Sequence, residues 1–370
     1  MFVFLFRFKR INLASLSINL EGKLAYIKID GIGSFQYAIV IIQYNYSSME
    51  VEMQSTSRGY LLAFISTFFL ATTAIFIRYL TVNFQIPAFV LAFWRDIFVV
   101  VTLFVVLSIT NRSLLKATKG ELPKYLYYGL VLAGFNIFWT FSVEQNGASV
   151  ATVLVYTSAA FTAVLGWILL KESLSIIKIL AVIASLIGCV LVSGAYELRM
   201  WNQSGFGILM GLASGLGYAV YSLVGRSFAN RKVNIWTSML YTFGCASVYL
   251  FMFNFIGGDI LPGTVPTLSG YLWLGDSLTG WLVLFSLGAI PTVLGFGLYN
   301  ASMQYLPSSI ANLVATMEPV FTVITAYFFL GEMLNGPQML GSLIIICAVL
   351  SMRLFGVTKQ KVPLIVPQKV

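Results

Sequence analysis

Apolar residues run along most of this chain in long blocks, separated by short polar stretches. A helix rises 1.5 Å per residue, so about twenty apolar residues cross the roughly 30 Å of bilayer hydrocarbon. The blocks predict ten membrane-spanning helices: Gly59–Leu80, Pro87–Ser108, Lys124–Ser142, Ser149–Leu170, Ile176–Gly194, Gly205–Phe228, Asn234–Phe255, Gly280–Tyr299, Ser308–Leu330 and Gly336–Phe355. Ahead of them, Phe2–Phe6 and Tyr37–Ile42 are apolar but too short to span. Residues 1–58 therefore read as an extension, not native to the protein or disordered. Either its native start lies near Met49 or Met53, or the segment is a cytosolic accessory piece. Residues 356–370 read as a cytoplasmic tail.

The pattern repeats. Moved back by 160 positions, Ser309, Ala311, Phe321, Thr322, Glu332, Leu334 and Leu340 fall on Ser149, Ala151, Phe161, Thr162, Glu172, Leu174 and Leu180 without a gap. At an offset of 148, Gly59, Leu61, Ser66 and Arg78 match Gly207, Leu209, Ser214 and Arg226. The chain thus divides into two halves of five spans, residues 59–194 and 205–355.

Charge sets the orientation. Arg7, Lys9, Arg10, Lys23, Lys28 and Arg58 precede the first span, and Arg112, Lys116, Lys119 and Lys124 follow the second. Lys171 and Lys178 follow the fourth, Arg226, Arg231 and Lys232 the sixth, and Arg353, Lys359, Lys361 and Lys369 the last. The opposite loops carry Arg199 alone. Lys and Arg accumulate on the cytoplasmic side of membrane proteins, so both termini are expected there, in the cell (inner) membrane. Five is odd, so the two halves must lie in opposite orientations: an inverted repeat, the usual plan of a secondary transporter.

Composition agrees and removes alternatives. The chain is 59% hydrophobic and 9% charged with a mean hydropathy of +0.89, against about 25% charged for a soluble domain. There is no histidine, which excludes His-ligated zinc and Ser-His hydrolysis. The net charge of +9 is spread through loops without interleaved aromatics, so no nucleic-acid partner is expected. Cys189, Cys245 and Cys347 sit in apolar runs and read as packing residues. No Walker-type loop is present, and no cofactor or metal is implied.

Several residues together resemble the EamA type of the drug/metabolite transporter superfamily: Glu318-Pro319, the Gly331-Glu332 turn, Gln338 and Gly341 entering the last span, and Arg95 early in the second. The likeness covers about Gly59 to Phe355. It implies an all-α integral membrane protein of two inverted five-helix repeats, drug/metabolite transporter-like. It also implies a secondary transporter of small metabolites, often an exporter, with its cavity between the halves. The first half keeps Lys171-Glu172 but has Ala159 where the pattern often has proline, which puts a symmetrical kink in the fourth span in doubt.

Candidate residues follow from polarity inside apolar runs. Only Ile97 to Ile109 separate Asp96 from the next polar loop, so Arg95 and Asp96 must lie within the membrane. Arg95 either snorkels to the interface or faces a cavity, available to an anionic substrate group or to Glu318. Glu318 shares a helix face with Ala311, Ala315, Thr322 and Thr325, and Pro319 beside it removes a backbone donor. That suits a proton or cation site, or a structural kink. In the eighth span Pro291, Gly295 and Gly297 predict a kink or hinge. Asn136, Trp139 and Thr140, the last two matched by Tyr299 and Asn300 at the offset of 160, suit a cavity wall, although Tyr299 equally suits an interfacial belt. Tyr156 and Ser158 are similar candidates. Gly207, Gly211 and Gly215 form a ladder for close helix packing.

The expected function is a secondary transporter of a small metabolite such as an amino acid, with the bilayer as solvent and a proton or other ion as a candidate partner. A channel or facilitative permease is the alternative; an intramembrane enzyme without histidine is the least supported. Reporters fused after Val370 and at Lys119 should read cytoplasmic, and one near Gly263 external. The same side for Val370 and Gly263 would overturn the ten-span inverted arrangement.

Overall fold

In a computed structural model the described residues are 17–21, 24–28, 37–117, 120–197, 205–258, 263–265, 267–330 and 335–355. The 331–332 turn, Arg199 and the tail after Phe355, all part of the sequence expectations, lie outside them. The chain forms two compact units, Met1–Ser57 and Arg58–Val370. In the first, β1 (Ser17–Glu21) and β2 (Leu24–Lys28) pair antiparallel, Ser17 opposite Lys28 and Glu21 opposite Leu24.

Every described regular element after Arg58 is helical: α1 (Tyr37–Phe84, continuing from the first unit), α2 (Ala88–Thr110), α3 (Leu122–Tyr156), α4 (Ser158–Leu170), α5 (Ile176–Ser193) and α6 (Gly205–Asn230) in order. Then come α7 (Ile235–Gly257), α8 (Leu278–Leu287), α9 (Val293–Ser302), α10 (Ser308–Ala315), α11 (Glu318–Leu330) and α12 (Gly336–Phe355). Lipid supplies no hydrogen-bond partner to a backbone, which is why helices dominate. Among the described residues nine helical segments are long and apolar enough to cross a membrane, Ser55–Phe84 within α1 being the first. The ninth predicted span, Ser308–Leu330, is divided at Thr316–Met317 into α10 and α11.

That break has a counterpart. α4 begins at Ser158 and α11 at Glu318, positions that the 160-residue register superimposes. The first-half break thus forms without proline, and the doubt raised by Ala159 is removed. In both copies a threonine closes the turn. The hydroxyl of Thr157 donates to the Leu154 carbonyl at 2.6 Å and that of Thr316 to the Leu313 carbonyl at 2.6 Å. Each threonine amide bonds the same carbonyl, so the backbone steps from i−4 to i−3 pairing. Pro319 falls in the first turn of α11, where a missing N–H is tolerated.

Packing pairs the halves. α3 lies most extensively against α6, and α5 against α12. Small residues permit it. A Cβ on Gly188 would stand 2.8 Å from the Gly341 carbonyl, and one on Gly341 would stand 2.7 Å from the Gly188 carbonyl. The 160-residue register carries Gly188 onto Ala348 and Gly341 onto Ala181, both buried. The antiparallel α5–α12 seam is therefore built from two register-related pairs of small residues.

The eighth predicted span is α8 and α9 joined by a π-turn, Gly288–Thr292, that contains Pro291. Proline cannot donate to the Leu287 carbonyl, and the Thr292 hydroxyl does so instead at 2.7 Å. Gly295 and Gly297 lie in regular helix, against Leu70 and Trp236.

The ladder on α6 gives a stability test. A Cβ on Gly211 would meet Leu154 Cδ1 at 2.5 Å and Ser142 Oγ at 2.6 Å, whereas one on Gly205 meets nothing within 4 Å. Gly211→Ala should cost about 1–3 kcal/mol by overpacking, and Gly205→Ala should leave the protein unharmed, both read from thermal unfolding in detergent.

Candidate functional site

Among the described residues, polar side chains inside the bundle include three groupings. The first closes one end. Lys171 takes the left-handed conformation, φ 55°, and the Glu172 amide reaches back to the Gly166 carbonyl at 3.0 Å. This turn aims the Glu172 carboxylate at the start of α10. One oxygen accepts the Ser308 amide at 2.7 Å and the Ser308 hydroxyl at 2.6 Å. The other accepts the Ser309 amide at 3.2 Å and the Ser309 hydroxyl. A first-half carboxylate thus caps a second-half helix, where unpaired N–H groups and the positive end of the helix favour an anion. Lys178, 1% exposed, completes the group by donating to the Ser173 carbonyl at 2.6 Å and the Ser309 hydroxyl at 2.8 Å. Lys178, counted above as a loop cation, is buried beside its counter-charge.

The second grouping runs through the middle. Ser158 donates to Asn312 Oδ1 at 2.9 Å, and Asn312 Nδ2 reaches Ser222 Oγ at 3.1 Å and the Tyr299 hydroxyl at 3.4 Å. Ser222 and Tyr299 are 2.7 Å apart. Next to them Asn300 donates to the Tyr221 hydroxyl at 2.9 Å and accepts from Tyr128 at 3.2 Å. Tyr128 and Tyr221 rings lie 4.6 Å apart, and those of Tyr218 and Tyr299 lie 5.8 Å apart. Tyr299 is fully interior, not part of an interfacial belt. Glu318, partly buried at the α10–α11 break, lies beside Tyr156.

The third grouping lines a cavity of about 260 Å³ whose walls include Thr81, Leu91, Arg95, Asn136, Trp139, Thr140 and Gly263. That is just under the roughly 300–1,000 Å³ typical of drug-sized ligand sites. Arg95 does not snorkel into lipid. Its Nε and Nη2 donate to Asp96 Oδ1 at 3.1 and 3.0 Å, and Nη2 also donates to Asn136 Oδ1 at 3.2 Å. Asp96 is 0% exposed.

The structure thus brings Arg95, Asn136 and Trp139 together at one cavity. Glu318 meets Tyr156, not Arg95. Ser158, Tyr299 and Asn300 belong to the central network, while Pro291 marks a π-turn. Sequence reasoning missed Asn312, Tyr218, Tyr221, Ser222 and Tyr128. The i, i+3, i+4 spacing of Tyr218, Tyr221 and Ser222 on α6 was a readable signal of one polar face. Glu172 was seen as a turn marker only; the Ser308-Ser309 pair opening a helix was the trace of its partner.

Comparison with known proteins places this geometry. Residues 57–194 and 205–354 each match the EamA-like transporter family. An uncharacterized transporter of Archaeoglobus fulgidus is 28% identical over 225 residues, covering 60% of this chain and 74% of its own. The threonine/homoserine exporter RhtA of Salmonella typhimurium is 25% identical over 241 residues, 64% of this chain and 72% of its own. A protein crystal structure, 16% identical, shares the fold with a TM-score of 0.64 over 80% of this chain and 96% of that one.

The Glu172 group predicts non-additive energetics. Glu172→Ala leaves Lys178 buried without its counter-charge and should cost about 3–5 kcal/mol. Lys178→Met in that background should recover part of the loss, though alone it destabilises. A double-mutant cycle of thermal unfolding checks it; strict additivity would show that the two do not interact.

Proposed function

This chain belongs to the EamA-like transporter family, and on that footing we propose that it is a secondary transporter that exports a small metabolite of the amino-acid class by alternating access between its repeats. It is a multi-pass membrane protein, and a transporter, not an enzyme. The observation that supports the finer reading is the placement of the Arg95 cavity and the Glu172 clasp. The cavity is bounded by the end of α1, the start of α2 and Gly263; the clasp joins the end of α4 to the start of α10. Counting one crossing per span, these are opposite ends of the bundle. The positive-inside bias assigns the clasp to the cytoplasm and the cavity to the outside, in the cell (inner) membrane with both termini cytoplasmic. A route open at one end and bonded shut at the other is one of the two states that alternating access requires. The amino-acid class draws on the printed name of the Salmonella relative and on a cavity carrying a cation, an amide and an indole.

Glu318 is the group we assign to ion coupling. It stands at the broken register of the ninth span, opposite Ser158 in the inverted copy, so the two halves are chemically unequal at equal depth. Its small, hydroxyl-bearing helix face suits a pathway better than lipid.

Metabolites inside and outside cells overexpressing the protein, compared without preselection, should show one specific compound depleted inside and enriched outside. No shift, or an inward one, would overturn export. Glu318→Gln should keep the folded level in the membrane and abolish flux driven by a pH gradient while sparing exchange. A wild-type rate across several external pH values would end the coupling role.

A further inference from the structure

The Arg95 cavity is incomplete in a way that specifies a ligand. The Asn136 side chain is 5% exposed and lines the cavity; its Oδ1 accepts from Arg95, yet its Nδ2 has no hydrogen-bond partner. Asp96 stands directly behind Arg95, fully buried, with Oδ1 taking both of the Arg95 bonds and Oδ2 taking none. A buried polar atom left unmade costs far more than a satisfied one gains. Here an orphan donor and an orphan acceptor flank one guanidinium.

Charge balance narrows what can settle them. Arg95 and Asp96 form a neutral pair. Among the described residues lining the cavity Arg95 is the one charged group, Arg78 on α1 between Ile77 and Thr81 being exposed; α7 meets this stretch with Gly244 at Val100 and Phe251 at Phe93, α8 with Trp281 at Trp94, and the π-turn with Gly288. A ligand of net charge would leave one charge uncompensated in a site of low dielectric, which is strongly unfavourable. A zwitterion adds none.

Resting on the transporter reading above, we propose that this site recognises a zwitterion by exchanging ion pairs. The Arg95 guanidinium turns from Asp96 to the ligand carboxylate, which also takes the free N–H of Asn136. The ligand ammonium takes the place of Arg95 on the Asp96 carboxylate. One ion pair and one zwitterion become two ion pairs, with no change in total charge and no proton consumed. The adjacency of Arg95 and Asp96 along α2 matches a ligand whose two charges are a single carbon apart, an α-amino acid. Asp96 is thereby a specificity-determining residue, and Glu318, which lies beside Tyr156, stands outside the exchange.

The test reads ligand-induced thermal stabilisation of the purified protein. The probes are the twenty protein amino acids and homoserine, each stabilising one compared with its deaminated acid and its decarboxylated amine. For threonine these are 3-hydroxybutyrate and 1-amino-2-propanol. An amino acid should bind the wild type about ten- to a hundredfold more tightly than either truncated analogue, the effect of one hydrogen-bonded charge. Asp96→Asn should shift the preference to the deaminated acid, and Arg95→Gln to the amine, because each restores neutrality with the opposite ligand. A merely structural ion pair would weaken all three alike. Equal binding of an amino acid and its deaminated acid by the wild type, or no stabilisation by any amino acid, overturns the exchange even if both variants fail to fold. Export of a metabolite bearing net charge would overturn it while leaving the transporter reading intact. An exchange confirmed by binding without outward flux would leave the site standing and remove export.

Discussion

The contact between Glu172 and the start of α10 is the constraint on which the two halves depend. One carboxylate receives two amides and two hydroxyls from Ser308 and Ser309. These donors would otherwise be orphaned at a buried helix end. The interaction does not require a matching group on both sides, since Lys178 compensates the charge and Gly166 leaves the room. A Cβ at Gly166 would stand 2.9 Å from the Glu172 carboxylate. Four unrelated choices of residue, in two repeats, converge on a single anion. Every donor is short and fixed at the start of the helix, so the group depends on one backbone placement.

Between that end and the cavity, cohesion comes from hydroxyls and amides instead of lipid-like packing. Nonpolar contacts gain little in hydrocarbon, where tails are as apolar as leucine. The Ser158–Asn312–Ser222–Tyr299 chain and the Tyr128–Asn300–Tyr221 cluster therefore supply direction as well as adhesion. They connect elements of both repeats. The paired breaks before Ser158 and Glu318 bring helix ends into this seam, where carbonyls released from the regular ladder are met by threonine.

Much of this was legible from residues alone. The spans were, because lipid leaves a backbone few options, and so was the duplication. Arg95 and Asp96 were placed in the membrane by counting the apolar residues that follow them. What escaped was tertiary. Glu172 and Ser308 are separated by 136 positions, and nothing local in Lys171-Glu172-Ser173 announces a partner. Attention to proline located one break and cast doubt on the other, although a threonine hydroxyl meets the i−3 carbonyl at both. Arg95 and Glu318 were linked by depth along the membrane, a one-dimensional coordinate that cannot separate the two sides of a bundle. Tyr299 was ambiguous for the same reason: its nearness to a span end was visible, its facing direction was not.

The π-turn at Gly288–Thr292 governs that direction. A π-turn carries one residue more than the α-turn it replaces, and each residue in an α-helix accounts for about 100° of rotation. Everything after Thr292 is wound round relative to α8 by that angle, which is what delivers Tyr299 and Asn300 to Ser222 and Tyr221. The turn acts as an angular offset built into the chain. Removing a single residue from it would leave the composition, length and hydropathy of the span almost untouched, yet would swing both polar side chains out of the seam and toward the hydrocarbon.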